Sequence, residues 1–215
     1  MAGANEFAIV GAKSRRGDLM KILGIYGSPR REGNTGLLLR ELLRGCRDAG
    51  AEVEEIFLRD LKITPCLEIY ACRNDGKCPI RDDMQTLYPK FVEADVLVLA
   101  SPVFFYAVSA HVKAMIDRCQ AMWAKKYLLK QPIAPGKPQR KGVFLSVGGS
   151  KGSKVFDGLL LTMKYFLDAL DMTFHRSLLF QGIDAKGDIL SHPTALAEAY
   201  ALGKELGSPE APNNK

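Results

Sequence analysis

The stretch DVLVLA, Asp95–Ala100, constrains this chain more than any other. After its opening acid it is apolar at every position. There is no alternation that would put one face in water. A run this short fits a strand covered on both faces, the situation of strands in a parallel sheet lying between two layers of helices. The rest of the chain supplies the partners. Lys21–Tyr26, Glu52–Leu58, Gly142–Val147 and Thr173–Phe180 read as further strands. Asn34–Ala49, Asp82–Glu93, Ala110–Trp123, Lys154–Leu170 and Pro193–Leu206 read as helices. Strand and helix thus alternate five times, with crossovers long enough to join parallel strands in the right-handed sense. The expected fold class is α/β, a doubly wound five-stranded parallel sheet with helices on both faces.

Length and composition fit that expectation. The 215 residues suit one domain, 21–207, with an N-terminal arm at 1–20 and a polar C-terminal tail at 208–215. Hydrophobic residues make up 47% and charged residues 25%, a globular composition. No apolar run reaches the ~18–20 residues of a membrane helix, and no basic-then-apolar leader is evident, so a cytoplasmic protein with no membrane association is expected. The net charge of +6 is scattered, without the basic runs or aromatic signatures of nucleic-acid binding. Five cysteines, an odd number, favour reduced thiols over a disulfide framework.

In doubly wound sheets, ligands bind outside the carboxyl ends of the strands, at the topological switch point. Three loops fall at such ends: 27–36, 101–107 and 147–153. The first, within GSPRREGNTG, offers Ser28, Arg30, Asn34 and Thr35 as polar side chains, and Gly27, Gly33 and Gly36 let the backbone approach a ligand closely. Asn34 or Thr35 can cap the following helix while free N–H groups point outward, which makes an anion site. The anion expected is a terminal phosphate, because neither G-x-x-x-x-G-K-[ST] nor G-x-G-x-x-G is present. An ordinary capped turn is the competing reading. In the second loop, Pro102, Phe104, Phe105 and Tyr106 can lie against a flat ring system, or belong to the core or a subunit interface. The third, SVGGSKG, can present backbone N–H groups to a polar ring edge, or be a flexible turn.

Taken together, GSPRREGNT, the DDM at Asp82–Met84, ASPVFFYAVSAHVKAMIDR and SVGG resemble the NADPH-dependent FMN reductase-like flavoproteins, and among them the iron–sulfur flavoprotein branch. The resemblance runs from about Lys21 to the last helix. It implies a flavodoxin-like sheet of strand order 2-1-3-4-5 that binds FMN without a covalent link, in a homodimer or homotetramer. It places Ser28, Arg30, Gly33, Asn34 and Thr35 at the phosphate. Pro102, Val103, Phe104 and Phe105 wrap the isoalloxazine, and Ser146, Val147, Gly148 and Gly149 meet its pyrimidine edge. Tyr106 stands where many relatives have a small residue, usually Gly, and is expected to cover the flavin or narrow nicotinamide access.

That branch also carries four cysteines spaced C-x-x-C-x-x-C-x-x-x-x-x-C. Here Cys66, Cys72 and Cys78 match the first, third and fourth places, and Ile69 stands at the second. A cubane cluster needs four ligands and Ile cannot ligate iron, so the iron–sulfur cluster is expected to be absent. His175 and His192 lack companions at metal spacing, and no metal site is assigned. His111 reads as a solvated helix position, Asp82 and Asp83 as helix-start charges, and Arg118 with Asp117 as a surface pair.

The expected activity is NAD(P)H-dependent: hydride passes from nicotinamide to FMN and on to a flavin, quinone or other small-molecule electron acceptor. Direct hydride transfer needs no protein acid or base, so no catalytic side chain is assigned. The alternative is an FMN electron carrier working between protein partners. Flavodoxin-type carriers tend to be strongly acidic, and a sequence pI of about 9.0 argues against that docking mode. A non-enzymatic binding module on the same fold is the third reading.

Overall fold

The computed structural model describes residues 19–208 apart from Pro138. Five strands, β1 (Lys21–Tyr26), β2 (Glu52–Phe57), β3 (Val96–Pro102), β4 (Lys141–Gly148) and β5 (Thr173–Gln181), form one sheet in the order β2-β1-β3-β4-β5. Every neighbouring pair is parallel. This is the expected flavodoxin-like sheet, and its switch point lies between β1 and β3. The helices are α1 (Asn34–Asp48), α2 (Cys72–Asp75), α3 (Met84–Glu93), α4 (Ala110–Arg118), α5 (Gln120–Trp123), α6 (Asp157–Ala169) and α7 (Ala195–Gly207). The arm and tail read from the sequence lie outside the described residues, except for Leu19, Met20 and Ser208.

Strand β3 is buried on both faces, and the reason is visible in how its side chains divide. Leu97 and Leu99 enter one apolar cluster with Phe91 of α3, Met115 of α4 and Met163 of α6. Val96, Val98 and Ala100 enter the other, with Leu38 and Leu42 of α1 and Leu202 of α7. Each fully buried Val or Leu contributes about 1.5–3 kcal/mol, so this strand is a main anchor of the fold. Helices α1 and α7 cross closely because glycine permits it: a Cβ added at Gly203 would lie 1.9 Å from the Leu42 carbonyl oxygen.

Two stretches differ from the sequence reading. The helix expected over Ala110–Trp123 is interrupted at Cys119, and a π-helical turn, Ala124–Leu128, continues it into what reads as an exposed connection. The insertion at 59–81 contains the single-turn α2, closed by Gly76 at φ 73° with its N–H on the Cys72 carbonyl at 2.8 Å. Four residues are too few for periodicity to show.

Arg118 is the clearest correction. It is not half of a surface pair: the residue is 1% exposed, and Lys113, not Arg118, pairs with Asp117. The guanidinium of Arg118 donates to Asp82 Oδ2 at 2.7 Å, to the carbonyls of Thr64 and Ile80, and to Cys78 Sγ at 3.2 Å. Asp82 in turn accepts the N–H groups of Thr64 and Met84. This one buried cation therefore fastens the whole 64–82 segment to α4.

Candidate functional site

The three loops meet at the carboxyl edge of the sheet through a chain of buried serines. The Ser109 hydroxyl donates to the Gly27 carbonyl at 2.6 Å and accepts the Val112 N–H, capping α4. Its own N–H donates to Ser101 Oγ at 3.0 Å, and Ser146 Oγ donates to the Ser101 carbonyl at 2.8 Å. All three serines are essentially buried. The ends of β1, β3 and β4 are thus held in fixed relation. Ser146, read as a site residue, has its hydroxyl committed to this network.

The first loop is compact and leaves selected donors free. Ser28 Oγ accepts the Arg30 N–H at 3.1 Å, and the Gly33 N–H bonds the Arg30 carbonyl. A Cβ at Gly33 would lie 3.0 Å from Ser28 Oγ and 3.2 Å from Arg30 Cβ, so glycine keeps the turn tight without crowding. Gly33 itself occupies the cap position of α1 without a side-chain bond, and neither Asn34 nor Thr35 caps the helix as the sequence suggested. The side chain of Asn34 reaches across to another segment instead. It donates to the Ala185 carbonyl at 2.8 Å and accepts the N–H groups of Gly187 at 2.9 Å and Ile189 at 3.3 Å.

What remains uncommitted in this loop is chemically consistent. The N–H groups of Asn34, Thr35 and Gly36 meet no acceptor among the described residues, as expected for the first turn of a helix. Thr35 is 2% exposed, and its hydroxyl has no protein partner among those residues. Arg31 pairs with Asp60, and Arg59 bonds the Pro29 carbonyl, whereas Arg30 has no described partner. Helix-end N–H groups, a hydroxyl and one unpaired guanidinium form a set that suits an anion.

The second loop is a tight hairpin. The Phe104 and Ala107 backbones exchange hydrogen bonds of 2.9 Å, and the two residues between them, Phe105 and Tyr106, have φ of 48° and 59°. Turns of this kind normally hold Asn or Gly, because a left-handed side chain clashes with its own backbone. The aromatic rings are instead projected outward: Phe104 is 46%, Phe105 101% and Tyr106 55% exposed. Gly158 at the start of α6 supports the turn from below, where a Cβ would come within 2.6 Å of the Tyr106 carbonyl oxygen.

The third loop joins the second directly. The Val103 N–H bonds the Val147 carbonyl at 3.2 Å, and a Cβ on Gly148 would sit 3.1 Å from Val103 Cγ2. Gly149 lies under Asp184, whose carboxylate oxygen would be 2.9 Å from a Cβ there. Gln181 and Gly152 exchange two hydrogen bonds that close the loop. The structure therefore brings together Ser28, Arg30, Gly33, Asn34 and Thr35 in one loop and Pro102, Val103, Phe104, Phe105 and Tyr106 in the next. Ser146, Val147, Gly148 and Gly149 border the second of these. Sequence reasoning missed Ser101, Ser109, Asp184 and the 185–189 segment. Only Ser109 carried a signal, as a Ser directly before an apolar-periodic helix.

Comparison with known proteins adds four findings. A family model described as NADPH-dependent FMN reductase matches residues 20–177. An iron–sulfur flavoprotein of Methanocaldococcus jannaschii is 47% identical over 103 residues, 48% of this chain; the chain spans about half of that relative, 53% of its length. An FMN-dependent NADH:quinone oxidoreductase of Azospirillum brasilense is 26% identical over 205 residues, covering 85% of this chain and 98% of that protein. Among solved structures, an NAD(P)H:quinone oxidoreductase from Methanothermobacter marburgensis superimposes with a TM-score of 0.66 at 18% identity, over 90% of this chain and all of that one, a likeness of fold.

Proposed function

The chain belongs to the NADPH-dependent FMN reductase family, and on that premise we propose that it binds FMN at the three loops and works as an NAD(P)H-dependent oxidoreductase. Its electrons pass to a flavin, quinone or other small acceptor. One observation carries the reading. In the loop after β1, the N–H groups of residues 34–36, the Thr35 hydroxyl and the Arg30 guanidinium are all left without partners among the described residues, in a fold whose switch point lies there. These residues fit a phosphate monoester.

When bound, FMN supplies the two-electron chemistry that links a nicotinamide to the acceptor. The chain's own residues hold and orient. Arg30, Thr35 and the start of α1 fix the phosphate end. Phe104, Phe105 and Tyr106 present faces and edges to the ring system and exclude water from it. Gly148 and Gly149 allow close backbone approach at the third loop. The serine chain keeps the three loops in register, which is the positioning that a direct transfer between two held rings requires. No acid or base side chain is assigned.

An iron–sulfur cluster, of the kind the Methanocaldococcus jannaschii relative is named for, does not fit these residues. Three thiols are present where four are needed, and Ile69, at the remaining place, offers only hydrocarbon. Among the described residues no group of three or more His, Cys, Asp or Glu is arranged to hold a metal ion.

A homodimer or homotetramer in the cytoplasm belongs to the same reading. Leu161 and Tyr165, one turn apart on α6, are 59% and 64% exposed. Gly158 on that helix abuts the aromatic turn, so helix face and loop make one apolar surface suited to a second copy. All five cysteines are free, which suits a reducing compartment. No described helix is long and apolar enough to cross a membrane.

The test is direct. Purified protein should carry or take up FMN stoichiometrically, and the visible flavin absorbance should bleach on anaerobic addition of NADPH or NADH. A protein that does not retain FMN, or whose bound FMN resists both nicotinamides, would overturn the proposal.

A further inference from the structure

A cavity of about 660 Å³ lies away from the three loops, between the 71–81 segment and the α3 and α5 helices. Its volume is that of a small-molecule site. Apolar walls come from Pro79, Pro89, Val92 and Met122. Three cations, Lys77, Arg81 and Lys125, border it against one acid, Asp75.

The charge balance is unusual in how little of it is spent inside the protein. None of the three cations makes an ion pair or side-chain hydrogen bond with a described residue, although Lys125 is half-buried. The next residue, Lys126, shows the contrast: it pairs with both Asp168 and Asp171. Asp75 is partly engaged, accepting the Lys77 N–H at 2.9 Å.

One wall of the cavity is Cys78, and its surroundings are fixed from behind. Arg118 Nε donates to its sulfur at 3.2 Å, and Gln85 Nε2 holds its carbonyl at 3.0 Å. The segment is seated on the π-helical turn, where Gly76 packs so tightly that a Cβ would lie 2.9 Å from Lys125 Cβ. A cysteine sulfur that borders an accessible cavity is placed for thiol chemistry. The other cysteines are placed differently. Cys46, Cys72 and Cys119 are buried, and Cys66 is half-buried but does not line the cavity.

We propose that this cavity is a second small-molecule site, for an anionic ligand that carries a disulfide, with Cys78 as the attacking thiol. The unpaired cations receive the ligand's carboxylate or phosphate groups and the apolar walls receive its body. Cys78 loses its proton to solvent and its sulfur attacks one sulfur of the ligand. A Cys78–ligand S–S bond forms as the ligand's own S–S bond breaks. The electron pair leaves with the departing half, which takes up a proton as a free thiol. Cys78 is oxidised to a mixed disulfide while half of the ligand is reduced, so no outside oxidant is needed. None of this depends on the flavin reading.

The experiment uses FMN-treated full-length protein, oxidised glutathione as the anionic disulfide and cystamine as a cationic one. Adduct formation is followed by intact mass and peptide mapping, and each rate is normalised to that of free cysteine with the same reagent. The proposal expects modification at Cys78 with a normalised preference for oxidised glutathione on the order of tenfold at low ionic strength, shrinking as salt is added. The Lys77→Gln/Arg81→Gln/Lys125→Gln variant, which keeps the thiol, should lose that preference. Modification confined to Cys66, a normalised ratio near one, or an unchanged ratio in the variant would each overturn it. NADPH-dependent flavin reduction, measured on the same samples, should be unaffected in the variant, which separates failure here from failure of the oxidoreductase assignment.

Discussion

Replacing Ser109 with Ala tests whether the serine chain holds the loops together. The substitution removes two bonds at once. The cap of α4 is lost, because Val112 N–H no longer finds Ser109 Oγ at 3.3 Å, and a lost Ser cap costs about 1 kcal/mol, within a range of 0.5–2. The Gly27 carbonyl also loses a donor at 2.6 Å in a buried position, and an unsatisfied buried acceptor costs about 1–3 kcal/mol. The sum is about 2–4 kcal/mol, and at about 2–4 °C per kcal/mol for a domain of this size the midpoint should fall by about 4–16 °C. Ser146→Ala is the comparator. It removes only the donor to the Ser101 carbonyl and should cost about 1 kcal/mol. Urea unfolding of both variants without FMN, followed by far-UV circular dichroism, gives the difference free of ligand effects. A Ser109→Ala loss below about 0.5 kcal/mol, or one smaller than that of Ser146→Ala, would refute the claim that Ser109 is the junction of the three loops.

Four further outcomes are expected. Arg30→Ala should weaken FMN binding by about 10–100-fold, the equivalent of one charge-assisted bond, and leave the FMN-free midpoint unchanged, because Arg30 has no protein partner among the described residues; fluorescence titration measures it. Tyr106→Gly should raise stability in urea by about 0.5–1 kcal/mol, since it relieves a left-handed side chain worth about 1–2 kcal/mol against the extra chain entropy of Gly. Burial pushes the Asp82 carboxyl up, but bonds from Arg118 and the N–H groups of Thr64 and Met84 outweigh it and hold it below the usual range. Its stabilisation is therefore complete above the ordinary Asp value of about 3.9 and drains as pH falls through the depressed one; Asp82→Ala should cost about 3–5 kcal/mol at neutral pH and flatten the acid limb of the stability curve. Burial pushes the Cys46 thiol up to about 12 and the Cys119 thiol higher still, so native-state alkylation at neutral pH should spare both and label Cys66 and Cys78.

The sheet was readable because its signals are local. A run such as DVLVLA announces burial on both faces without reference to the rest of the chain, and the strand order followed from the family pattern of strands and loops. What escaped were pairings between distant residues. Arg118 looks like a helix-surface cation beside Asp117, yet its partners are Asp82, Thr64, Ile80 and Cys78, 36 to 54 positions away. Asn34 has every property of a helix cap and is drawn off by acceptors and donors more than 150 positions later. The break at Cys119 and the π-helical turn after it follow from packing against α2, whose four residues leave no periodic trace. The three loops could be recognised by composition. The serines that tie them together could not, because a Ser in a buried network looks the same in sequence as one in water.

The bridge from Asn34 to the 185–189 segment also sets an order of events during biosynthesis. Asn34 leaves the ribosome 151 residues ahead of Ala185, an interval of roughly 8–30 s at ordinary translation speeds. Throughout that time the nascent anion loop has its stem but not its clasp. Loading of the proposed nucleotide is therefore a late event, after residue 189 has emerged, and truncated products ending just before Ile189 would circulate with a sheet but a slack cradle.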